Sequence, residues 1–386
     1  MKLANRMQSF TSFIVMDILE RAIALEEAGH NVVHMEVGEP DFELPAPVGA
    51  AMVDALMRGE THYTHSLGTM ALREAISRNY LRIYGVEVDP QRICVTTGTS
   101  AAFVMLFGAL LNPGDRLAMT DPGYPCYAND ALLVGASTVR VNPPLPDGSR
   151  TPYCLTTEVL EENDLTGVDL FLVSSPSNPT GMLTDEAVYR WLLERDIPVI
   201  SDEIYGRLVY EDATPRTALS ISDDIIVVDG FSKAFAMTGC RLGWIVAPPE
   251  LVGPLNRIAQ NLYLSPPSVA QWGAIAALEQ CDDHLEEMRS AYSKRRERLM
   301  VGLEELGLKV AGRPRGAFYL FADVSRYDSD SLHFCRRMLD EAHVAATPGV
   351  DFGKNGTQSF VRFAYTRDLG QLEEGLARLR RWLPTL

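Results

Sequence analysis

Short apolar runs alternate with helical patterns from about residue 45 to residue 275, and this alternation constrains the fold more than any other feature of the chain. Four such runs, rich in β-forming residues, are Arg92–Thr96, Leu170–Val173, Ile197–Ile200 and Ile225–Val228. Apolar runs without polar alternation indicate strands that are buried on both faces, which is typical of a parallel sheet covered by helices. The sequence therefore predicts an α/β domain whose ligands lie at the carboxyl ends of the strands.

A second, smaller unit is predicted from the C-terminal part of the chain. The segment from Ala274 to Leu306 carries apolar residues at near-helical spacing, and we expect one long helix that links two domains. Strand-like runs at 316–321 and 359–365 then alternate with helical patterns at 331–342 and 369–383. We therefore expect a large domain over residues 46–275 and a small α+β domain formed by residues 1–45 and 276–386.

Charge and cysteine usage exclude several classes of protein. The 386 residues include 35 Lys and Arg against 51 Asp and Glu, and this net charge of −16 argues against nucleic acid or an anionic membrane as the main partner. Six scattered cysteines form no CxxC pair and have no histidine at zinc spacing, so we expect reduced thiols, no metal and a cytoplasmic protein. The apolar stretch Phe10–Leu19 is interrupted by Asp17 and makes a poor signal peptide.

The first of four candidate site motifs is Thr97-Gly98-Thr99-Ser100, between a predicted strand and a helix. Backbone N–H groups at a helix N-terminus and the helix dipole attract anions, so this motif indicates a phosphate site. Taken alone, the motif would favour a capped helix after a strand. The chain lacks here both the GxGxxG pattern expected of a nicotinamide dehydrogenase and the Lys-Ser/Thr end of a P-loop.

Two further motifs follow apolar strands. Asn178 lies between Pro176 and Pro179, which restrict the backbone and aim one amide side chain outward from the strand end. Asp202 follows the strand at 197–200, where a carboxylate would reach a ligand. A plain turn and a helix N-cap, respectively, are the structural alternatives for these two residues.

The fourth motif, Gly230–Trp244, contains a lysine and an arginine eight residues apart. Lys233 directly follows a predicted buried strand, where burial would lower the pKa of its amine and make it a usable nucleophile. Arg241 lies between Gly239 and Gly243 and offers a bidentate donor for phosphate.

Three of these stretches resemble the hallmark motifs of the class I/II, fold-type I pyridoxal-phosphate (PLP) aminotransferases: Ser175–Gly181, Ser201–Tyr205 and Ser232–Gly243. The resemblance extends over nearly the whole chain, from Gly38–Phe42 to Arg362. It implies the fold-type I α/β architecture, with a large, mostly parallel-sheet domain and a smaller α+β domain. It also implies pyridoxal 5'-phosphate as cofactor and a homodimer with shared active sites.

The resemblance implies catalytic roles for three residues. Lys233 matches the lysine that binds PLP covalently and then carries the proton of the substrate Cα. Asp202 matches the carboxylate that faces the pyridine nitrogen and keeps it protonated, so that the ring draws electrons. Tyr205 matches, together with Asn178, the pair that donates hydrogen bonds to the phenolic oxygen of the cofactor.

The remaining site residues follow from the same resemblance. The phosphate would be bound by Thr99, Ser100, Ser232 and Arg241, and by Tyr63 of the neighbouring subunit. Tyr124 matches the aromatic residue that stacks on the pyridine ring. The substrate α-carboxylate would be bound by a set of three residues: Arg362, Asn178 and the backbone of Gly38.

The substrate expectation is a neutral donor. The N-terminal segment Phe10–Val15 is largely apolar, and no basic residue matches a motif for a distal carboxylate. We therefore expect an aminotransferase for an aliphatic or aromatic L-amino acid, with 2-oxoglutarate as acceptor. An aspartate aminotransferase, a PLP-dependent carbon–sulfur β-lyase and an aminocyclopropane-carboxylate synthase remain alternatives on the same fold, as does a regulatory module, although no DNA-binding extension precedes the motifs.

Overall fold

The computed structural model describes residues 1–148, 150–211 and 213–386. Twelve α-helices lie within these ranges and are, in chain order, α1 (Ile14–Glu27), α2 (Ala46–Met57), α3 (Met70–Tyr84), α4 (Thr99–Leu110), α5 (Cys126–Leu133), α6 (Thr157–Glu162), α7 (Glu186–Leu193), α8 (Pro249–Leu262), α9 (Ser268–Gln280), α10 (Asp282–Glu305), α11 (Ser331–Ala342) and α12 (Leu369–Trp382).

The same ranges contain thirteen strands. In chain order these are β1 (Val33–His34), β2 (Ile93–Thr96), β3 (Arg116–Thr120), β4 (Ser137–Val141), β5 (Leu170–Ser174), β6 (Val199–Asp202), β7 (Ile226–Gly230), β8 (Gly243–Val246), β9 (Lys309–Val310), β10 (Tyr319–Asp323), β11 (Val344–Ala345), β12 (Thr347–Pro348) and β13 (Phe360–Ala364).

The large sheet has seven strands in the order β2-β8-β7-β6-β5-β3-β4. Strand β8 pairs antiparallel with β2 and β7, whereas the pairs β7–β6, β6–β5, β5–β3 and β3–β4 are parallel. The prediction of a mostly parallel α/β sheet is therefore confirmed, and the four predicted strands lie within two residues of the observed ones. Strand β6 begins after Pro198, because proline has no N–H to donate to the ladder.

Both faces of the large sheet are buried, as continuous apolar strands require. Phe171 and Val227 pack on the side of α3, α7 and α9, whereas Leu172, Ile200 and Val228 pack on the side of α4, α5 and α8. Successive residues of one strand point to opposite faces, so each strand needs apolar residues at every position. This packing fixes the strand ends β5, β6 and β7 next to one another.

The prediction of a single helix over residues 274–306 is wrong. The chain forms α9 and α10 instead, separated at Cys281, whose backbone leaves the helical conformation. Asp282 and Asp283 open the new helix, where their carboxylates interact favourably with the helix dipole. The side chain of Asp282 also binds Arg82 and Arg207, which anchors the start of α10 to other elements.

The C-terminal residues form a second sheet, in which β12, β13, β10 and β9 pair antiparallel in that order. Helix α11 has the predicted bounds and α12 ends one residue early. The N-terminal part joins this unit, because β1 pairs with β11 in parallel and Val33 lies opposite Val344. The two domain ranges given above stay a prediction.

Candidate active site

A cavity of about 620 Å³ lies at the carboxyl ends of β5, β6 and β7, between the two sheets. Eleven of the twelve predicted site residues line it: Gly38, Thr99, Ser100, Tyr124, Asn178, Asp202, Tyr205, Ser232, Lys233, Arg241 and Arg362. They meet because the motifs that carry most of them follow neighbouring strands. The twelfth, Tyr63, does not line the cavity of its own chain, and its side chain is 80% exposed.

Lys233 follows β7 and extends into the cavity from the large sheet. Its Nζ donates a hydrogen bond to the carbonyl oxygen of Gly38, at 2.7 Å. Burial lowers the pKa of the amine to about 8, and the charges of Arg362 and Arg241 act in the same direction. The cavity therefore holds a lysine that loses its proton far more easily than an exposed one does.

Asp202 is the last residue of β6 and is 4% exposed. Its carboxylate accepts hydrogen bonds from the hydroxyl of Tyr127 and from the backbone N–H of Ile204, the latter at 3.1 Å. Burial raises the pKa of Asp202 to about 6. The described residues directly after Asp202 form a turn and not a helix, so the N-cap alternative is wrong: the Ile204 bond closes this turn, and Asp202 lines the cavity.

Tyr127 is a site residue that the sequence reasoning did not identify. It lies in the first turn of α5, is 2% exposed, and shares the cavity wall with its partner Asp202. The only sequence signal is its position in the stretch Tyr124-Pro-Cys-Tyr127, three residues beyond the predicted stacking residue. Tyr124 itself lines the cavity, with its ring centroid 5.3 Å from that of Tyr127.

Tyr319 is a second residue that the sequence reasoning did not assign. It is the first residue of β10, and its hydroxyl lies 2.7 Å from the hydroxyl of Tyr205. The guanidinium of Arg362 lies 4.3 Å from the centre of its ring. A Cβ at position 38 would come within 1.8 Å of the Tyr319 hydroxyl, so only glycine fits there. Tyr319 thus packs against three predicted site residues.

Arg362 lies in the middle of β13, is 2% exposed and is held in place from several sides. Its Nη1 donates to Oδ1 of Asn178 at 2.9 Å, and its Nη2 donates to the carbonyl oxygen of Glu36 and, at 3.2 Å, to Oγ1 of Thr347. The buried Nε finds no hydrogen-bond partner among the described residues. This arrangement orients the guanidinium and leaves donor capacity for an anionic ligand.

A second anion-binding arrangement lies at the N-terminus of α4. Helix α4 begins at Thr99, and its N-cap, Gly98, offers no side chain to the free N–H groups of the first turn. Gly98 has a φ of +79°, and a Cβ there would come within 2.6 Å of Nη2 of Arg241. The guanidinium of Arg241 is therefore packed against the helix N-terminus, with Ser100 and Ser232 also lining the cavity.

Comparison with known proteins agrees with this geometry. The family model "Aminotransferase class I and II" matches residues 30–379. A valine–pyruvate aminotransferase of Mycobacterium tuberculosis is 37% identical, over 97% of this chain and 96% of its own. An aspartate/prephenate aminotransferase of Thermus thermophilus is 34% identical, over 99% of this chain and 98% of its own.

Solved structures give the same result. The crystal structure of an aminotransferase from Mycobacterium tuberculosis has a TM-score of 0.94 and 35% identity, with 100% of both chains covered. The aspartate aminotransferase from Thermus thermophilus with maleate has a TM-score of 0.92 and 32% identity, with 99% of both chains covered. The chain therefore belongs to the class I and II aminotransferases, enzymes of fold type I that use pyridoxal 5'-phosphate.

Proposed function

We propose that this enzyme transfers the amino group of a neutral aliphatic or aromatic L-amino acid to a 2-oxo acid such as 2-oxoglutarate. The observation that carries the proposal is the charge of the cavity wall. Among the described residues that line it, the basic side chains are Lys233, Arg241 and Arg362. Each of the three already has a proposed role in binding the cofactor or the α-carboxylate. The N-terminal side is apolar, formed by residues that include Phe13 and Val15.

The residues present suit the cofactor. Arg241 against the uncapped N-terminus of α4 suits a phosphate, with Thr99, Ser100 and Ser232 beside it. The buried carboxylate of Asp202 suits a protonated pyridine nitrogen, and Lys233 supplies the amine for covalent attachment. When bound, pyridoxal 5'-phosphate supplies an electron-withdrawing ring that stabilises the negative charge left on the substrate Cα.

The side chains of this protein then have distinct tasks. Arg362 binds the substrate α-carboxylate, aided by the backbone of Gly38, and so orients the Cα. Lys233, once its amine is free, would move a proton between the substrate Cα and C4′ of the cofactor, in one direction with the amino acid and in the opposite direction with the 2-oxo acid. Asn178 and Tyr205 would donate hydrogen bonds to the phenolic oxygen of the cofactor, and Tyr124 would stack on its ring. The contact of Asn178 Oδ1 with Arg362 leaves the amide N–H groups for that donation.

The names of two relatives give two alternatives for the amino donor. The Mycobacterium tuberculosis relative is named for valine and pyruvate, and the Thermus thermophilus relative for aspartate and prephenate. The apolar wall next to Phe13 favours a neutral donor such as valine. An aspartate side chain would need a further basic residue beside it, and the lining residues named above provide none. The distal carboxylate of 2-oxoglutarate needs a cationic partner as well, so the half-reaction with the 2-oxo acid is measured with pyruvate beside 2-oxoglutarate.

The proposal includes a cytoplasmic homodimer with shared active sites. Tyr63, exposed on its own chain, would reach the phosphate of a second copy. All six cysteines are unpaired, which supports a reducing compartment. Within the described residues, no helix has both the length and the apolar character needed to span a bilayer.

The test is the half-reaction of the PLP-loaded enzyme, followed by the absorbance of the cofactor. Second-order rates are compared for alanine, leucine, phenylalanine and aspartate. We expect the neutral donors to exceed aspartate; the reverse order would assign the enzyme to the aspartate aminotransferases. Release of pyruvate and ammonia from a cysteine conjugate in the absence of any 2-oxo acid would instead indicate a β-lyase.

A further inference from the structure

The start of α1 forms one wall of the active-site cavity. Phe13, Val15 and Met16 line the cavity, and the ring centroid of Phe13 lies 5.7 Å from that of Tyr124, edge to face. We call residues 13–16 the cover segment. The cover segment shares this cavity with Lys233 and Arg362, which would act on the substrate Cα and its α-carboxylate. We therefore expect the substrate side chain to extend toward the cover segment.

A carboxylate from the opposite end of the chain binds the backbone of the cover segment. The N-cap of α1, Phe13, provides no side-chain acceptor for the first N–H groups of the helix. Asp351 provides it instead: Oδ1 accepts from the N–H of Ile14 at 3.0 Å, and Oδ2 accepts from the N–H of Val15 at 3.3 Å. A carboxylate at a helix N-terminus also interacts favourably with the dipole.

Several hydrogen bonds hold residues 11–15, and those accepted by Asp351 are the least exposed to water. Asp351 is 9% exposed. The neighbouring contacts of Thr11 with Asn129 and of Ser12 with Asp17 are solvent-exposed, where a hydrogen bond contributes less. Among these polar contacts, the two of Asp351 therefore contribute most to holding the cover segment.

The same short stretch of chain also positions the carboxylate-binding arginine. Thr347 pairs with Arg362 across β12 and β13, and its hydroxyl accepts from Arg362 Nη2. Asp351 follows four residues later, in the turn Gly349–Asp351. One loop thus fixes the group that binds the α-carboxylate and the wall that faces the side chain, and so sets the distance between them.

We propose that Asp351 is a positioning residue that sets the side-chain selectivity of the enzyme by holding the cover segment against the substrate. This inference rests on the proposed neutral donor. Alanine has a single methyl group and does not reach far along the wall, whereas norvaline and leucine extend further. Loss of the Asp351 contacts should therefore weaken the binding of long side chains and leave alanine unaffected.

The experiment measures half-reaction rates of the PLP-loaded enzyme with alanine, norvaline and leucine, for Asp351→Asn and for the control Glu20→Gln. Glu20 is also acidic and lies on α1, but it is exposed and does not line the cavity. For Asp351→Asn we expect the second-order rate with norvaline and leucine to fall roughly tenfold, the effect of about one methylene contact. The rate at saturating substrate and the rate with alanine should stay at the wild-type level, and Glu20→Gln should change nothing.

A second pair of variants tests the contact from the other side, in case Asp351→Asn fails to fold. Ile14→Pro removes the N–H that Asp351 accepts, at the first helical position, where proline is tolerated. Ile14→Ala keeps the N–H and removes the same packing. We expect Ile14→Pro to lose selectivity for long side chains and Ile14→Ala to lose less.

An unchanged ratio of the second-order rates for leucine and alanine, whether both rates fall equally or neither falls, would overturn the role of Asp351. These results are distinct from a failure of the proposed function, which the wild-type enzyme alone reveals if aspartate exceeds the neutral donors. In that case the ratio of the second-order rates for norvaline and alanine still tests whether Asp351 positions the cover segment.

Discussion

Nη1 of Arg362 donates a hydrogen bond to Oδ1 of Asn178 at 2.9 Å, although the two residues are 184 positions apart. Arg362 belongs to the second sheet and Asn178 follows β5 of the large sheet. The bond orients the amide of Asn178 so that its N–H groups face away from the guanidinium. It also means that the arginine is aligned by protein groups rather than by the substrate, which reduces the entropy lost on binding.

Arg362→Lys should weaken the binding of both amino acid and 2-oxo acid. An ammonium provides a single charged point and cannot donate to Asn178, Glu36 and the substrate carboxylate in the plane of a guanidinium. We expect KM for both substrates to rise by roughly 10- to 100-fold, which corresponds to the loss of a charged hydrogen bond of about 1.5–3 kcal/mol. Steady-state kinetics measures the effect. Arg367→Lys, outside the cavity, serves as control, and unchanged KM values for Arg362→Lys would assign the carboxylate to another residue.

Asp202→Asn should abolish most of the turnover without destabilising the protein. The pKa of Asp202 is about 6 against 3.8 for an unperturbed carboxyl. The folded apoprotein therefore binds this proton more tightly than the unfolded chain does, and its stability falls as the pH rises from about 4 to 6. Above pH 6 the buried carboxylate costs on the order of 3 kcal/mol.

Asparagine removes that cost, so urea denaturation of the Asp202→Asn apoprotein at pH 8 should give a free energy of unfolding no lower than that of the wild type. Turnover should fall by a factor on the order of 10² to 10³, because the amide cannot stabilise a protonated pyridine nitrogen. Asp229→Asn replaces another buried carboxylate that does not line the cavity, and should keep its turnover. A near-normal rate for Asp202→Asn would remove Asp202 from this role.

Lys233 should react as an amine with a pKa of about 8 once PLP has been removed. Burial favours the neutral form, so about half of the amine is unprotonated at pH 8, whereas an ordinary lysine titrates near 10.4. Competitive acetylation of the apoprotein, read peptide by peptide, should give Lys233 a labelling midpoint near pH 8. The peptide of Lys294, which is exposed on α10, is the internal control, and a midpoint for Lys233 equal to that of Lys294 would contradict the burial argument.

Borohydride reduction of the PLP-loaded enzyme provides an independent test of the same lysine. The amine lies inside the cavity, within reach of the residues proposed to hold the cofactor, so the reduced cofactor should be found on the peptide of Lys233. Mass spectrometry of the digest measures the attachment. A tag on Lys294, or on no lysine, would refute the assignment.

The sequence predicted the parts of the site that follow strands. Asn178, Asp202 and Lys233 each come directly after or at the end of an apolar run, and neighbouring strands of a parallel sheet bring such positions together. No comparable rule exists for Tyr127 and Tyr319. Their contacts with Asp202 and Tyr205 join residues 75 and 114 positions apart and depend on how a helix and the second sheet pack on the first.

The long-range contacts of Asp351 and the break between α9 and α10 escaped prediction for related reasons. The bond between Asp351 and Ile14 spans 337 positions, and nothing local marks Asp351 as the acceptor for a helix whose own N-cap is Phe13. At Cys281 the helical spacing of apolar residues continues through the break, so periodicity alone predicts one helix. The acidic pair that follows was the available signal for a new N-terminus.

Tyr63 provides the test of shared active sites. Its side chain is 80% exposed and lies outside the cavity of its own chain, whereas the proposed role at the phosphate requires it inside a cavity. The exposed position and the proposed role agree if Tyr63 acts in the second copy of a homodimer.

Hybrids of Tyr63→Phe and Lys233→Ala subunits, refolded together and separated by differential tags, should then have one site with both substitutions and one site with neither. We expect each hybrid to show about half the wild-type turnover per dimer, because one site is intact. The two parent homodimers are the controls: Lys233→Ala should be inactive, and Tyr63→Phe should bind PLP more weakly because a hydroxyl donor to the phosphate is gone. A hybrid without a site of wild-type affinity for PLP would mean that Tyr63 and Lys233 act within one chain.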